Sequence, residues 1–122
     1  MRLNLKNVRG DRGVNNDLIL SYNTHQAAFA KSEQATFLKI EDAISKTDEK
    51  GKMPLWRGYD QIADYAQSTG PTSKRKISQV RTGRGICQFY AWLAAQKKPE
   101  TILEFGAAFG ASGMYWLAGL TI

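Results

Sequence analysis

Residues 99–113 set the tightest limit on how this chain folds. Pro99 closes off any helix before it. Thr101-Ile102-Leu103-Glu104-Phe105 follows, a short apolar run bounded on both sides, which predicts a strand. Gly106 to Gly110 is a turn of mostly small residues, and Ser112 to Leu120 reads as a helix with Met114, Leu117 and Ala118 on one side. A strand that passes through such a turn straight into a helix is a building unit of α/β folds. Ligands of those folds sit beyond the carboxyl end of the strand, against the free N–H groups of the helix start.

The residues before this unit read as helical. From about Thr24 to Ser45 the chain is rich in Ala, Lys, Glu and Gln and free of Gly and Pro. Phe37, Ile40 and Ile44 stand at i, i+3, i+7 with Leu38 beside them, and Thr24 is placed to cap the start. Residues 46–54 read as a polar linker. A second helix is expected from about Leu55 to Gln67, stopped by Gly70-Pro71, and residues 72–76 as a basic loop. A third helix is expected from near Gly83 to Gln96, with Ile86, Phe89, Tyr90 and Leu93 forming its apolar face and Lys97-Lys98-Pro99 ending it.

Composition narrows the classes. The chain has 122 residues, of which 43% are apolar, enough for a packed core. No run is long and apolar enough for a membrane span, and no apolar stretch follows the charged N-terminus as a secretory signal requires. A single cysteine, Cys87, rules out an internal disulfide and fits a cytoplasmic setting, where a buried, inert thiol is the expectation. The net charge is +6, and between Asp64 and Glu100 seven basic residues (Lys74, Arg75, Lys76, Arg81, Arg84, Lys97, Lys98) meet no acid. A solvated surface accounts for them, although Arg81 and Arg84 also stand where they could approach an anionic ligand. His25 is the lone histidine, and a metal site needs several ligands.

The spacing in the turn bears on the ligand. A dinucleotide fingerprint, G-x-G-x-x-G, is met only weakly by Gly106, Ala108 and Ala111. The pattern E/D-x-G-x-G-x-G is filled by Glu104, Gly106, Ala108 and Gly110, with Ala in place of the middle glycine. Here the segment resembles the first motif of class I S-adenosylmethionine-dependent methyltransferases. The form E-x-G-x-x-x-G-x-S, with Glu104, Gly106, Gly110 and Ser112, looks like the small-molecule O-methyltransferase branch. The resemblance covers roughly residues 83–120.

The resemblance implies a Rossmann-like α/β methyltransferase fold. Residues 1–82 would form a helical N-terminal region, and 83–122 the start of the cofactor-binding domain. It implies S-adenosylmethionine as cofactor and a small-molecule methyl acceptor as partner, with neither membrane nor nucleic acid expected. Gly106 and Gly110 would form the turn under the methionine part of the cofactor. Glu104 would orient the turn or meet the cofactor's amino end, Ala107 and Ala108 would line the approach, and Ser112 would donate from the first helical turn. The acid-tipped second strand of such a domain does not occur in the twelve residues after Gly110. The expectation is therefore an N-terminal fragment, inactive and poorly stable alone, with its catalytic residues elsewhere. Two other readings stand beside it: a basic helical module binding nucleic acid or protein, and a fragment of a dinucleotide-dependent oxidoreductase.

Overall fold

A computed structural model describes residues 16–54 and 74–122. In order these form α1 (Asn16–Ser32), α2 (Gln34–Glu49), β1 (Met53–Pro54), β2 (Lys74–Arg75), α3 (Ile77–Val80), α4 (Arg84–Lys97) and α5 (Ala111–Thr121). The helix expected over 55–67 lies outside the described residues.

The single helix expected from Thr24 to Ser45 is two helices that begin earlier and end later. Thr24 does not cap; its hydroxyl donates to the Leu20 carbonyl in mid-helix at 2.9 Å. The break falls at Glu33, where the Ser32 hydroxyl donates to the Phe29 carbonyl at 2.9 Å and to the Glu33 carboxylate at 3.1 Å. The backbone bonds continue through it, from the Glu33 N–H to the Phe29 carbonyl and from the Phe37 N–H to the Glu33 carbonyl, both at 3.0 Å. α1 packs through Tyr22, whose ring meets Phe89 edge-on at 4.9 Å and Trp92 at 5.2 Å. The expected stripe of α2 is buried as read, Phe37, Ile40 and Ile44, and Asp48 extends it by one turn.

After α2 the two-residue strands β1 and β2 pair antiparallel, Met53 opposite Arg75 and Pro54 opposite Lys74. The basic loop expected over 72–76 thus contains β2 where it is described. The short α3 is capped from across the fold. The carboxylate of Asp48 accepts the backbone N–H groups of Ile77 at 2.6 Å and Ser78 at 3.0 Å.

α4 matches its expected span within a residue, but its buried stripe is Cys87, Ala91 and Ala94 with Trp92. Ile86 is exposed, and Phe89, Tyr90 and Leu93 are half-buried. The stripe is rotated from the expected one because α5 approaches along the small residues. A methyl group built on Gly119 would land inside the backbone carbonyl of Ala91. Tyr90 and Trp116 stack beside this point, their rings 4.5 Å apart and within 9° of parallel. Tyr90 meets Trp116, Ala91 meets Gly119, and Lys98 Nζ donates to the Leu120 carbonyl at 3.0 Å. These pairs rise together along both helices, so α4 and α5 run in the same direction. Lys98, in the left-handed region at φ 44°, ends α4 ahead of Pro99.

Residues 101–105 return the chain between these two helices. They alternate as a strand does, with Ile102 and Glu104 half-buried and Thr101, Leu103 and Phe105 exposed. The segment pairs with no strand among the described residues, so the strand expected over 101–105 is not formed here and only its alternating burial is seen. On α5 the buried face is Ala111, Tyr115 and Ala118, whereas Leu117, expected inside, is 63% exposed. Phe37, Ile40, Ile44, Ile77, Cys87, Ala91, Ala111, Tyr115 and Ala118 make one core that joins α2, α3, α4 and α5.

The Ala91–Gly119 approach is backbone against side-chain space, with no rotamer to yield. Gly119→Ala is therefore expected to destabilise the chain by about 1–3 kcal/mol, the usual cost of overpacking. A urea unfolding curve with an unchanged midpoint would contradict this packing.

Candidate functional site

The turn that follows Phe105 is built from alternate left-handed residues. Gly106, Ala108 and Gly110 have φ of 76°, 47° and 78°. Glycine enters this region freely, whereas an L-residue there costs roughly 1–2 kcal/mol. Ala108 is thus the strained member, at the position where the methyltransferase pattern has its middle glycine. A Cβ on Gly106 or Gly110 would meet nothing within 4 Å, so these positions need glycine for backbone conformation. The turn closes on itself through the Gly110 N–H, which donates to the Ala107 carbonyl at 2.7 Å.

Gly110 is also the N-cap of α5, and no side chain caps that helix. The N–H groups of its first turn therefore point at the turn's mouth, with the positive end of the helix dipole behind them. Ser112 is buried in that first turn, only 5% exposed. Gly106, Ala107 and Ala108 are exposed.

Behind the turn runs the segment from α3 to α4. Ile77, Val80, Arg81 and Thr82 face Gly106, Ala107, Ala108, Phe109, Ala111 and Ser112 across a cavity of about 20 Å³. That is room for one water. A ligand of the turn would lie on its outer, exposed side. Glu104 is not part of this group. It lines a separate groove of about 320 Å³ with Ile102, Gly113, Trp116, Leu117 and Leu120. The turn thus brings together Gly106, Ala107, Ala108, Gly110 and Ser112 and leaves Glu104 against α5.

Next to the turn stands a polar centre whose acid, Glu41, sequence reasoning did not foresee. Glu41 on α2 is held by both nitrogens of the Arg81 guanidinium, at 2.7 and 2.8 Å, by Arg84 at 3.0 Å, and by the Tyr115 hydroxyl at 2.5 Å. Burial works against the charge on Glu41, but hydrogen bonds from Arg81, Tyr115 and Arg84 outweigh it and hold the carboxyl at about 2. The hydrogen bond to Glu41 raises the Arg81 guanidinium in turn. Burial, with the hydrogen bond to Glu41, pushes the Tyr115 phenol up. Arg81, with 11% of its side chain exposed, is neither free for a ligand nor a surface charge. Arg84 keeps 58% of its side chain exposed while pairing with the same carboxylate. No local pattern marks this centre, because Glu41 and Arg81 lie forty residues apart in sequence.

Cys87 is fully buried, its thiol directed at the Thr82 carbonyl at 3.4 Å, and burial pushes it up. His25 is exposed and hydrogen bonded to the Ser21 carbonyl at 2.8 Å within its own helix. Among the described residues no cluster of His, Cys, Asp and Glu could hold a metal ion, and no helix is long and apolar enough to cross a membrane. No family model, no curated protein and no solved structure matches the chain.

Two outcomes follow from this geometry. Ala108→Gly should raise stability by up to about 1 kcal/mol, as left-handed strain is released against a greater unfolded-state entropy; a denaturant midpoint that falls would refute the strain. The second concerns pH. The Glu41 carboxyl ordinarily titrates near 4.5 and is held here near 2. Its stabilisation is complete above about pH 4.5 and drains away as pH falls towards 2. Thermal unfolding between pH 6 and 2 should show this loss, and Glu41→Gln should flatten it.

Proposed function

We propose that this chain carries the opening S-adenosylmethionine-binding unit of a class I methyltransferase of the small-molecule O-methyltransferase kind, working in the cytoplasm. The observation that carries the reading is the turn itself. Three left-handed residues, Gly106, Ala108 and Gly110, lead into an uncapped helix start, at the spacing of the resembled motif.

The chain's course supports it. Two helices in direct succession, joined by a short loop, pack antiparallel. α4 and α5 run parallel, with residues 101–105 returning between them in a strand-like burial pattern. This course supports the reading, since a helix–strand–helix unit of a parallel α/β layer would follow the same path. Leu103 and Phe105, 77% and 88% exposed, and Leu117 are the side chains that neighbouring strands and a facing helix layer would cover in the complete fold.

The residues fit the proposed cofactor in kind. The carboxylate end of S-adenosylmethionine is an anion, and the first N–H groups of α5 are donors at a positive helix end; Ser112, expected to donate as well, is buried on the inner side of the turn, away from a ligand on its outer face. Gly106, Ala107 and Ala108 leave the outer face of the turn open to a close approach. When bound, the cofactor supplies an electrophilic methyl group; the turn's part is to fix its orientation toward the acceptor. The basic-module reading loses ground because Arg81 is committed to Glu41 and Lys98 to the end of α5.

Calorimetric titration of the protein with S-adenosylmethionine should show saturable binding, and NAD should show none. Gly110→Val puts a branched side chain into a backbone region that tolerates none, at φ 78°, and should abolish the binding. Unchanged affinity in that variant, or a preference for NAD, would defeat the proposal.

A further inference from the structure

We infer that the α2 face bearing Glu41, Ile44 and Asp48 positions the Gly106–Gly110 turn, acting at a distance through the segment 77–82. The relevance of this to cofactor binding rests on the reading above; the positioning itself does not.

The three residues stand at i, i+3 and i+7, one face of the helix. Two of them act at the start of the segment and the third near its end. Asp48 takes the backbone N–H groups of Ile77 and Ser78 at 2.6 and 3.0 Å. Ile44 and Ile77 belong to the same buried core. Glu41 takes the Arg81 guanidinium with both oxygens at 2.7 and 2.8 Å. A bidentate pair fixes orientation as well as distance. The segment is therefore pinned to a single helix at its start, through Ile77 and Ser78, and again near its end, through Arg81.

Between those pins, Ile77, Val80, Arg81 and Thr82 form one wall of the cavity of about 20 Å³ behind the turn. A gap of one water between packed walls leaves little room for either to move alone. The turn has few restraints of its own. Its backbone bond from Gly110 to Ala107 spans three residues, its outer face is exposed, and Ala108 is held in an unfavourable conformation. Strain of this kind persists only where the surroundings enforce it. The wall behind the turn is that surrounding, and Glu41 and Asp48 hold the wall. They are positioning residues, acting on the turn through that wall.

Amide hydrogen exchange on the chain, read by mass spectrometry without ligand, tests the arrangement. In Glu41→Gln, peptides covering 106–112 should exchange roughly tenfold faster, while peptides within α4 keep their protection. Asp48→Asn, which weakens the other end of the segment, should give the same selective change. Glu41→Asp, with a carboxylate on a shorter arm, should recover part of the protection. Tyr115→Phe removes a hydrogen bond to the same carboxylate but leaves the Arg81 pair, so the turn should exchange at the native rate. Equal acceleration of the turn and α4 would show general destabilisation and overturn the proposal. So would a Tyr115→Phe effect on the turn as large as that of Glu41→Gln, or no effect of Glu41→Gln and Asp48→Asn. Selective exchange in a protein whose native form fails to bind S-adenosylmethionine would uphold the positioning and sink the cofactor reading alone.

Discussion

A half-buried carboxylate cannot remain charged without partners, and Glu41 draws its three from three separate stretches of chain. Arg81 comes from the segment ahead of α4, Arg84 from the first turn of α4, and Tyr115 from α5. Satisfying one acid therefore fixes where α2, α4 and α5 meet. Removing the carboxylate would leave the buried Arg81 guanidinium and Tyr115 hydroxyl without this partner, which costs far more than the net worth of the bonds. Phe37 and Ile44 on α2 belong to the same buried core as Tyr115, whose ring lies 5.2 Å from that of Phe37. Burial is the force that brings these elements together, and the carboxylate selects the one arrangement in which its partners arrive together.

A second constraint acts along α4 and α5. The alanines of α4 and Gly119 let two backbones approach as far as a side chain would otherwise prevent. The stacked Tyr90 and Trp116 rings close the contact beside them. With the helices held parallel, the chain between them has to run back along their length. The turn at 106–110 then reverses it into α5, and the left-handed residues are where that reversal takes place.

Much of this was legible in the sequence. The stripe of α2, the span of α4, its stop at Lys97-Lys98-Pro99, and the turn into α5 are local matters, set by periodicity, proline and small residues. The expected faces of α4 and α5 were displaced because hydrophobic size is a poor guide where small residues form the contact; Cys87 and Ala91 are buried where Ile86 is not. The break at Glu33 is a single residue with backbone bonds kept on both sides, too slight a departure to be marked among good helix formers. For the candidate site, the glycines declared themselves by spacing, and Ala108 declared its strain only through its backbone angle. Glu41, Asp48 and Arg81 stayed hidden because a charge far along the chain carries no mark of its partner. The pairing exists only once the core has formed.

The ladder of β1 and β2 has a consequence for how this fold can vary. Met53 lies opposite Arg75 and Pro54 opposite Lys74, so the ladder brings the stretch after α2 beside the stretch before α3. The entropy of closing a loop rises only slowly with its length. A ladder of this kind can therefore hold its two ends together over connections of different length. Versions of this protein with different inserts at this one place would share the same glycine turn and the same carboxylate centre, and new recognition surfaces could be grafted there without redrawing the rest.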